Sequence, residues 1–292
     1  MSKIAIVTDS NSGITKEEAD RLGIFVIPMP FMIDDEHFYE GVNLTQEEFY
    51  EKQTGGAVIS TSQPSPEEVC RLWDQILLDY DEILHLPMSS GLSGACQTAM
   101  MLAQDAPYEG KVFVVNNQRI SVTLHQSLLD AKILIGKGFD AKTIREKLEE
   151  DKFNCTIYIM LDTLEYLKRG GRITPAAAAI GTLLKIKPIL QIQGEKLDAF
   201  SKARTLSQGK SVMLGALKND IETRFGGVVP APGKVWLKIA HTANEEAALQ
   251  LKEEMLEIFP GYEVEIAPLP LSIACHVGPG TLGVGCCQKT FA

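Results

Sequence analysis

Short apolar runs in the first half of this chain end repeatedly in small polar residues, and a helix start follows. Lys3–Val7 runs into Thr8-Asp9-Ser10-Asn11-Ser12-Gly13, and Ala57–Ser60 into Thr61-Ser62-Gln63-Pro64-Ser65. Ile83–Pro87 runs into Met88-Ser89-Ser90-Gly91-Leu92-Ser93-Gly94, and Lys111–Val115 into Asn116-Asn117. Thr15-x-x-Glu18 and Thr45-x-x-Glu48 have the capping-box pattern, and Ser65-Pro66-Glu67-Glu68 adds proline at the first helical position. Further helices are expected over Ala95–Ala103, Ser121–Gly136 and Ala141–Glu150. Strands alternating with helices at this spacing predict a parallel sheet with helical crossovers. Phe25–Ile33, broken by Pro28 and Pro30, reads as extended edge structure.

Ligands of open parallel sheets gather beyond the strand C-termini. Here Asp9-Ser10, Thr61-Ser62, Ser89-Ser90 and Asn116 would deliver hydroxyl and amide groups to one edge. Each segment alone reads as ordinary turn and cap chemistry; together they point to a site. The Met88–Gly94 stretch is the most specific of them. Hydroxyls and two glycines sit where a strand gives way to a helix N-terminus, whose free amides and dipole favour a phosphate or a carboxylate.

The second half reads differently. Strands are expected at Cys155–Leu161, Val235–Ala240 and Glu263–Ala267. Pro188–Gln193, Gly194-Glu195 and Lys196–Ser201 read as a hairpin with a type II′-like turn. Asp162 and Thr242-x-x-Glu245 read as helix caps, Pro175–Lys185 as an alanine-rich helix, Ser207–Arg224 as a long helix, and Gly226-Gly227 with Pro230–Gly233 as a loop. The expected fold is therefore α/β with two domains: a parallel-sheet α/β domain at 1–154 and an α+β domain at 155–292.

Of 292 residues, 45 % are hydrophobic, enough for a substantial core, and the net charge is −10. That charge disfavours nucleic acid and anionic lipid surfaces, which want basic stripes. No apolar run approaches the ~20 residues of a membrane span, and Met1-Ser2-Lys3 enters a strand directly, so a cytoplasmic location is expected. Cys70, Cys96, Cys155, Cys275, Cys286 and Cys287 form no metal-spaced pair, and the five histidines form no ligand motif. Neither metal nor cofactor is expected. The adjacent Cys286-Cys287 reads as two packed thiols rather than a redox pair.

Gly91-Leu92-Ser93-Gly94-Ala95 comes near the nucleophile elbow of α/β-hydrolases, but Ala95 stands where that pattern has glycine. An acyl hydrolase or transferase with Ser93 as nucleophile, His276 as base and Asp9 behind it is the alternative reading. A phospho-sugar or dihydroxyacetone-type kinase subunit is a third. A Walker-type loop is excluded, since no Lys-Ser or Lys-Thr follows the glycines. In Ile273–Gly283, His276 is expected at a strand end before a glycine-rich turn that lets backbone approach an anion. Arg172, beyond Gly170-Gly171, and Arg204 read alone as solvated charges.

The ordered set Ile6–Ser10, Thr61–Ser65, Ser89–Gly94, Gly171–Ile173, Lys187–Leu190, Lys202–Thr205 and His276–Gly280 resembles the DegV family of bacterial fatty-acid-binding proteins. The resemblance implies a long-chain fatty acid held non-covalently in a tunnel between the two domains, in a carrier rather than an enzyme. It places the carboxylate on Thr61 and Ser93, with Ser62 and Gly94 beside them and Arg172 and His276 near the head group. It also implies an ATP-dependent fatty acid kinase as a partner that phosphorylates the bound acid, with Arg204 helping it dock.

Overall fold

The computed structural model describes residues 2–176, 186–226 and 233–292. In chain order its strands are β1 (Ile4–Asp9), β2 (Ile24–Ile27), β3 (Pro30–Ile33), β4 (Glu36–Tyr39), β5 (Ile59–Thr61), β6 (Glu82–Leu86), β7 (Val112–Val114), β8 (Cys155–Met160), β9 (Lys187–Ile192), β10 (Leu197–Ala203), β11 (Val235–His241), β12 (Val264–Pro268) and β13 (Leu282–Gln288). The helices are α1 (Lys16–Leu22), α2 (Gln46–Thr54), α3 (Pro66–Ile76), α4 (Ala95–Leu102), α5 (Ser121–Gly136), α6 (Ala141–Glu150), α7 (Glu165–Gly170), α8 (Leu206–Thr223), α9 (Glu245–Ile258) and α10 (Leu271–Val277). Most of the expected Pro175–Lys185 helix and of the Gly226–Gly233 loop lies outside the described residues.

The first sheet is wholly parallel, in the order β2-β1-β6-β7. The chain leaves β1 toward β2 on one side and β6 toward β7 on the other. The C-terminal ends of β1 and β6 therefore flank the topological switch point, where a crevice must open. Capping boxes start α2 at Thr45 and α3 at Ser65, as the sequence dictates. Thr15 caps α1 through the Glu18 amide.

The second sheet runs β10-β9-β8-β13-β11-β12, antiparallel throughout except for the β11–β12 pair. Its central strand, β13, carries no strand signal in the sequence, because Gly283 and Gly285 interrupt the apolar run. Glycine weakens a strand unless something approaches closely. Here β8 does: a Cβ on Gly285 would lie 3.2 Å from the Thr156 carbonyl, and one on Gly283 would lie 3.3 Å from the Tyr158 carbonyl. The largest apolar cluster joins the two sheets, with Ile6, Leu84 and Leu128 packing alongside Ile157, Ile159 and Leu190.

Several local expectations fail for identifiable reasons. The segment ending at Thr61 does not join the parallel sheet. It forms β5 of a small antiparallel sheet, β4-β3-β5, anchored where Asp34, at φ 48°, exchanges bonds with Val58. Pro30 is in that sheet's central strand, tolerated because it is the first residue and needs no ladder amide; β2 alone is the expected edge. The β9–β10 connection is a four-residue bend over 193–196, not a two-residue turn. Asp162 caps nothing; it pairs with Lys187, and α7 starts only at Glu165. Thr242 donates to the Gly278 carbonyl and accepts from the Thr281 amide, leaving Asn244 as the α9 N-cap.

Candidate functional site

Two loops meet at the switch point. Asp9 closes β1 and accepts hydrogen bonds from the Asn11 amide at 3.0 Å and the Met88 amide at 2.8 Å. Burial raises its carboxyl to about 6 despite those bonds. Asp9 thus pins the β1 loop to the β6 loop and faces no histidine. Ser89 Oγ donates to the Glu195 carbonyl at 3.0 Å, docking the β6 loop on the β9–β10 bend. Gly91 makes that docking feasible: a Cβ there would lie 2.4 Å from the same carbonyl.

Between these loops, β5, α7 and α10 lies a cavity of about 220 Å³. Thr61, Ser62, Ser93, Gly94, Arg172 and His276 all line it. Its apolar walls are Met29, Met88, Leu92, Ile120, Leu167, Leu197, Ile273 and Val277. The two halves of the chain contribute on both counts. Thr61, Arg172 and His276 also line an adjoining cleft of about 500 Å³, so this trio forms the partition between cavity and cleft.

His276 does not stand at a strand end. It is in the last turn of α10, where Gly278 then leaves the helix at φ 74°. Its Nε2 lies 2.8 Å from Thr61 Oγ1. Its Nδ1 is buried and without a hydrogen-bond partner. Burial, with the Arg172 charge adding to it, lowers the ring to about 4. The imidazole is therefore neutral near pH 7. In the tautomer with its proton on Nε2 the ring donates to Thr61 Oγ1, which frees the Thr61 hydroxyl proton for a group in the cavity; in the other tautomer Thr61 donates to the ring. Gly170 permits this placement, because a Cβ there would sit 2.0 Å from Nδ1.

Ser93 repeats that logic. Its Oγ accepts from the Ala95 amide at 3.2 Å, so its own proton is directed elsewhere. Gly94 is the α4 N-cap and supplies backbone only; a Cβ would lie 2.7 Å from Gln63 Oε1. Arg172 is held by the Gly170 carbonyl at 2.5 Å and by the Leu92 carbonyl at 3.5 Å. The wall thus presents two hydroxyl donors and a guanidinium, the groups a carboxylate or phosphate accepts from.

Three cavity residues escaped the sequence reading. Asn11 accepts from Ser272 Oγ and donates to Met88 Sδ at 2.9 Å, tying α10 to both loops. Gln63 bonds Thr98 at 3.0 Å. Asn11 and Gln63 stood in polar turns, but Ser272 lies in an apolar helix with no signal at all. Conversely, Asn116 lines no described cavity, and its amide donates to Glu149. Arg204 is exposed beside the α8 N-cap and also lines none of them. Among the described residues no helix is long and apolar enough to cross a membrane.

Fold and site define a class: an α/β protein with an apolar cavity at a switch point, walled on one side by hydroxyls and a guanidinium. The DegV family model matches residues 3–289, and the chain belongs to that family. Protein DegV of Bacillus subtilis is 30% identical, over 98% of this chain and 99% of that one. The crystal structure of DegV from Bacillus subtilis, described as a fatty acid binding protein, matches with TM-score 0.85 at 30% identity, covering 99% and 100% of the two chains. A DegV family protein from Thermus thermophilus, described for its fatty acid binding, matches with TM-score 0.88 at 32% identity, covering 98% and 99%.

Proposed function

We propose that this protein binds a long-chain fatty acid non-covalently, with its carboxylate on the Thr61 and Ser93 hydroxyls. The observation that carries this reading is the Thr61–His276 pair in the wall of an otherwise apolar cavity. On this reading the neutral ring carries its proton on Nε2 and donates to the Thr61 oxygen, so the Thr61 proton is offered to an anion. Ser62, the Gly94 backbone and Arg172 complete the head-group surroundings. The acyl chain lies along the Met, Leu and Ile walls, where each buried methylene contributes up to ~0.8 kcal/mol. A cavity of about 220 Å³ is smaller than the ~300–1,000 Å³ usual for ligand sites. Entry of the chain therefore displaces flexible side chains, Met29 and Met88 first. On this reading the two sheets belong to separate domains, 1–154 and 155–292, and the acid is held where they meet.

The fatty acid kinase reading rests on the same wall. The trio opens onto a second cleft, through which a phosphoryl donor can approach a bound carboxylate. Arg204, exposed and away from the cavity, is then a docking residue for the kinase: Arg204→Ala lowers phosphorylation of bound acid and leaves acid binding intact. Acyl transfer by Ser93 fits the geometry poorly, since His276 Nε2 is engaged by Thr61, Nδ1 meets no carboxylate and Asp9 holds backbone amides. Native mass spectrometry of protein purified from cells tests the reading. A non-covalent adduct of fatty acid mass supports it; an ester on Ser93 after exposure to an activated acyl ester, with no non-covalent adduct, refutes it.

A further inference from the structure

β13 carries Cys286 and Cys287 just before its last residue, Gln288, and these neighbours point to opposite faces of the strand, as successive strand residues do. Cys286 packs with Tyr158 and Leu237 on one face. Cys287 stands directly opposite Cys155 of β8 on the other. The Gln288 amide donates to the Asn154 carbonyl at 2.8 Å. That bond makes Cys155 and Cys287 a non-hydrogen-bonded antiparallel pair, whose Cα atoms lie ~4.5 Å apart with the side chains close. This separation falls within the range a disulfide spans, ~4.4–6.8 Å. Both thiols are free.

The surroundings divide the two sulfurs into distinct roles. The neighbouring Cys287 thiol chiefly lowers Cys155 to about 7, with burial opposing and the Arg119 charge assisting, while the Cys155 Sγ itself sits 3.5 Å from the Lys152 carbonyl. Cys287 is pushed up by the facing Cys155 and by burial. Cys155 keeps 6 % of its surface and Cys287 none, so Cys155 meets a small oxidant first.

We propose that Cys155 and Cys287 are a redox modification site, forming a reversible cross-strand disulfide when the protein meets hydrogen peroxide. The Cys155 thiolate attacks one peroxide oxygen, the O–O bond breaks, and hydroxide leaves, giving a sulfenic acid at Cys155. The Cys287 sulfur then attacks the Cys155 sulfur; the S–O bond breaks, and the hydroxyl leaves as water with the Cys287 proton. The two sulfurs are oxidised and the peroxide is reduced. A dithiol reverses the reaction by exchange, becoming a disulfide itself. The bond staples β8 to β13 across a long stretch of chain, which restricts the unfolded state.

The test exposes the purified full chain to hydrogen peroxide, then alkylates remaining thiols in denaturant and maps peptides by fragmentation mass spectrometry. One linked species joining Cys155 to Cys287 is expected, with Cys286 alkylated and the link lost in dithiothreitol. Cys286→Ser keeps the link. Cys287→Ser loses it and lets Cys155 advance to sulfinic acid. The peroxide-treated wild-type chain unfolds at a higher temperature than the reduced chain. A bond through Cys286, oxidation of wild-type Cys155 without a link, or no reaction at either sulfur overturns the proposal, as does a lower unfolding temperature for the linked form. The wild-type map stands whether or not a variant folds.

Discussion

The molecule buries two polar clusters and treats them in opposite ways. Around Arg119 most of the bonding capacity is spent internally, Nε being the exception: Nη2 reaches the Asp151 carbonyl and carboxylate, each at 2.7 Å, and Nη1 reaches Ser127 at 3.1 Å. Asp151 is held in turn by Asn154 and Thr290. None of these residues lines the cavity. Around His276 the ring makes one bond, to Thr61, and Ser93 Oγ accepts from the Ala95 amide, which leaves the Ser93 proton uncommitted. The Arg119 cluster spends its charged groups on one another, whereas the His276 cluster turns its hydroxyls toward a cavity.

Four outcomes would break or sharpen that contrast, and the largest concerns the closed cluster. Arg119→Ala strands the Asp151 carboxylate in the interior and costs about 3–5 kcal/mol of stability, read as a lower denaturant midpoint; a loss below 1 kcal/mol would show that the cluster is not structural. Next, Thr61→Val removes a charge-assisted hydrogen bond while keeping the shape. Fatty acid affinity then falls by about 1.5–3 kcal/mol in calorimetry, and the midpoint falls as well, because the buried His276 ring loses its one partner. Smaller again is Gly170→Ala, whose added methyl meets Nδ1 and turns the ring away from Thr61; about a tenfold weaker Kd is expected, or ~1.4 kcal/mol. Equal affinity for the variant would mean that the ring does not orient Thr61.

The smallest effect is a pH slope. His276 titrates near 4 folded and near 6.5 unfolded. Between those values the unfolded chain carries the extra proton, so this ring makes stability rise with pH and fall as pH drops through the window. His276→Gln should flatten the slope of stability against pH by up to about one proton in that window. Asp9 and Asp130, both raised to about 6 by burial, act with the opposite sign, which is why the variant must be compared with wild type. An unchanged slope would place the ring in solvent.

Much of the architecture is legible before any coordinates exist. The Thr15, Thr45 and Ser65 caps, the β1 and β6 apolar runs and the long helix near Leu206 follow from local rules, since each depends on neighbours in sequence. The errors share a cause. β13 lacks strand chemistry because its glycines answer to the β8 carbonyls of Thr156 and Tyr158, far away in sequence. Thr242 looks like a cap but serves Gly278 and Thr281. The four strand ends do not share one sheet edge: Thr61 arrives from the small antiparallel sheet and Asn116 turns away.

Residue type and order determined that this chain builds a parallel sheet, offers hydroxyls and glycines after β6, and belongs with the DegV proteins. Those properties are set by spacing, capping and backbone permissiveness, which act over a few residues. Tertiary structure alone decided that Thr61 meets His276, that Gly170 makes room for that ring, and that Cys287 faces Cys155 rather than Cys286. Such facts depend on which surfaces meet after folding, and residues more than a hundred positions apart come within a hydrogen bond only once both sheets have closed on their shared core.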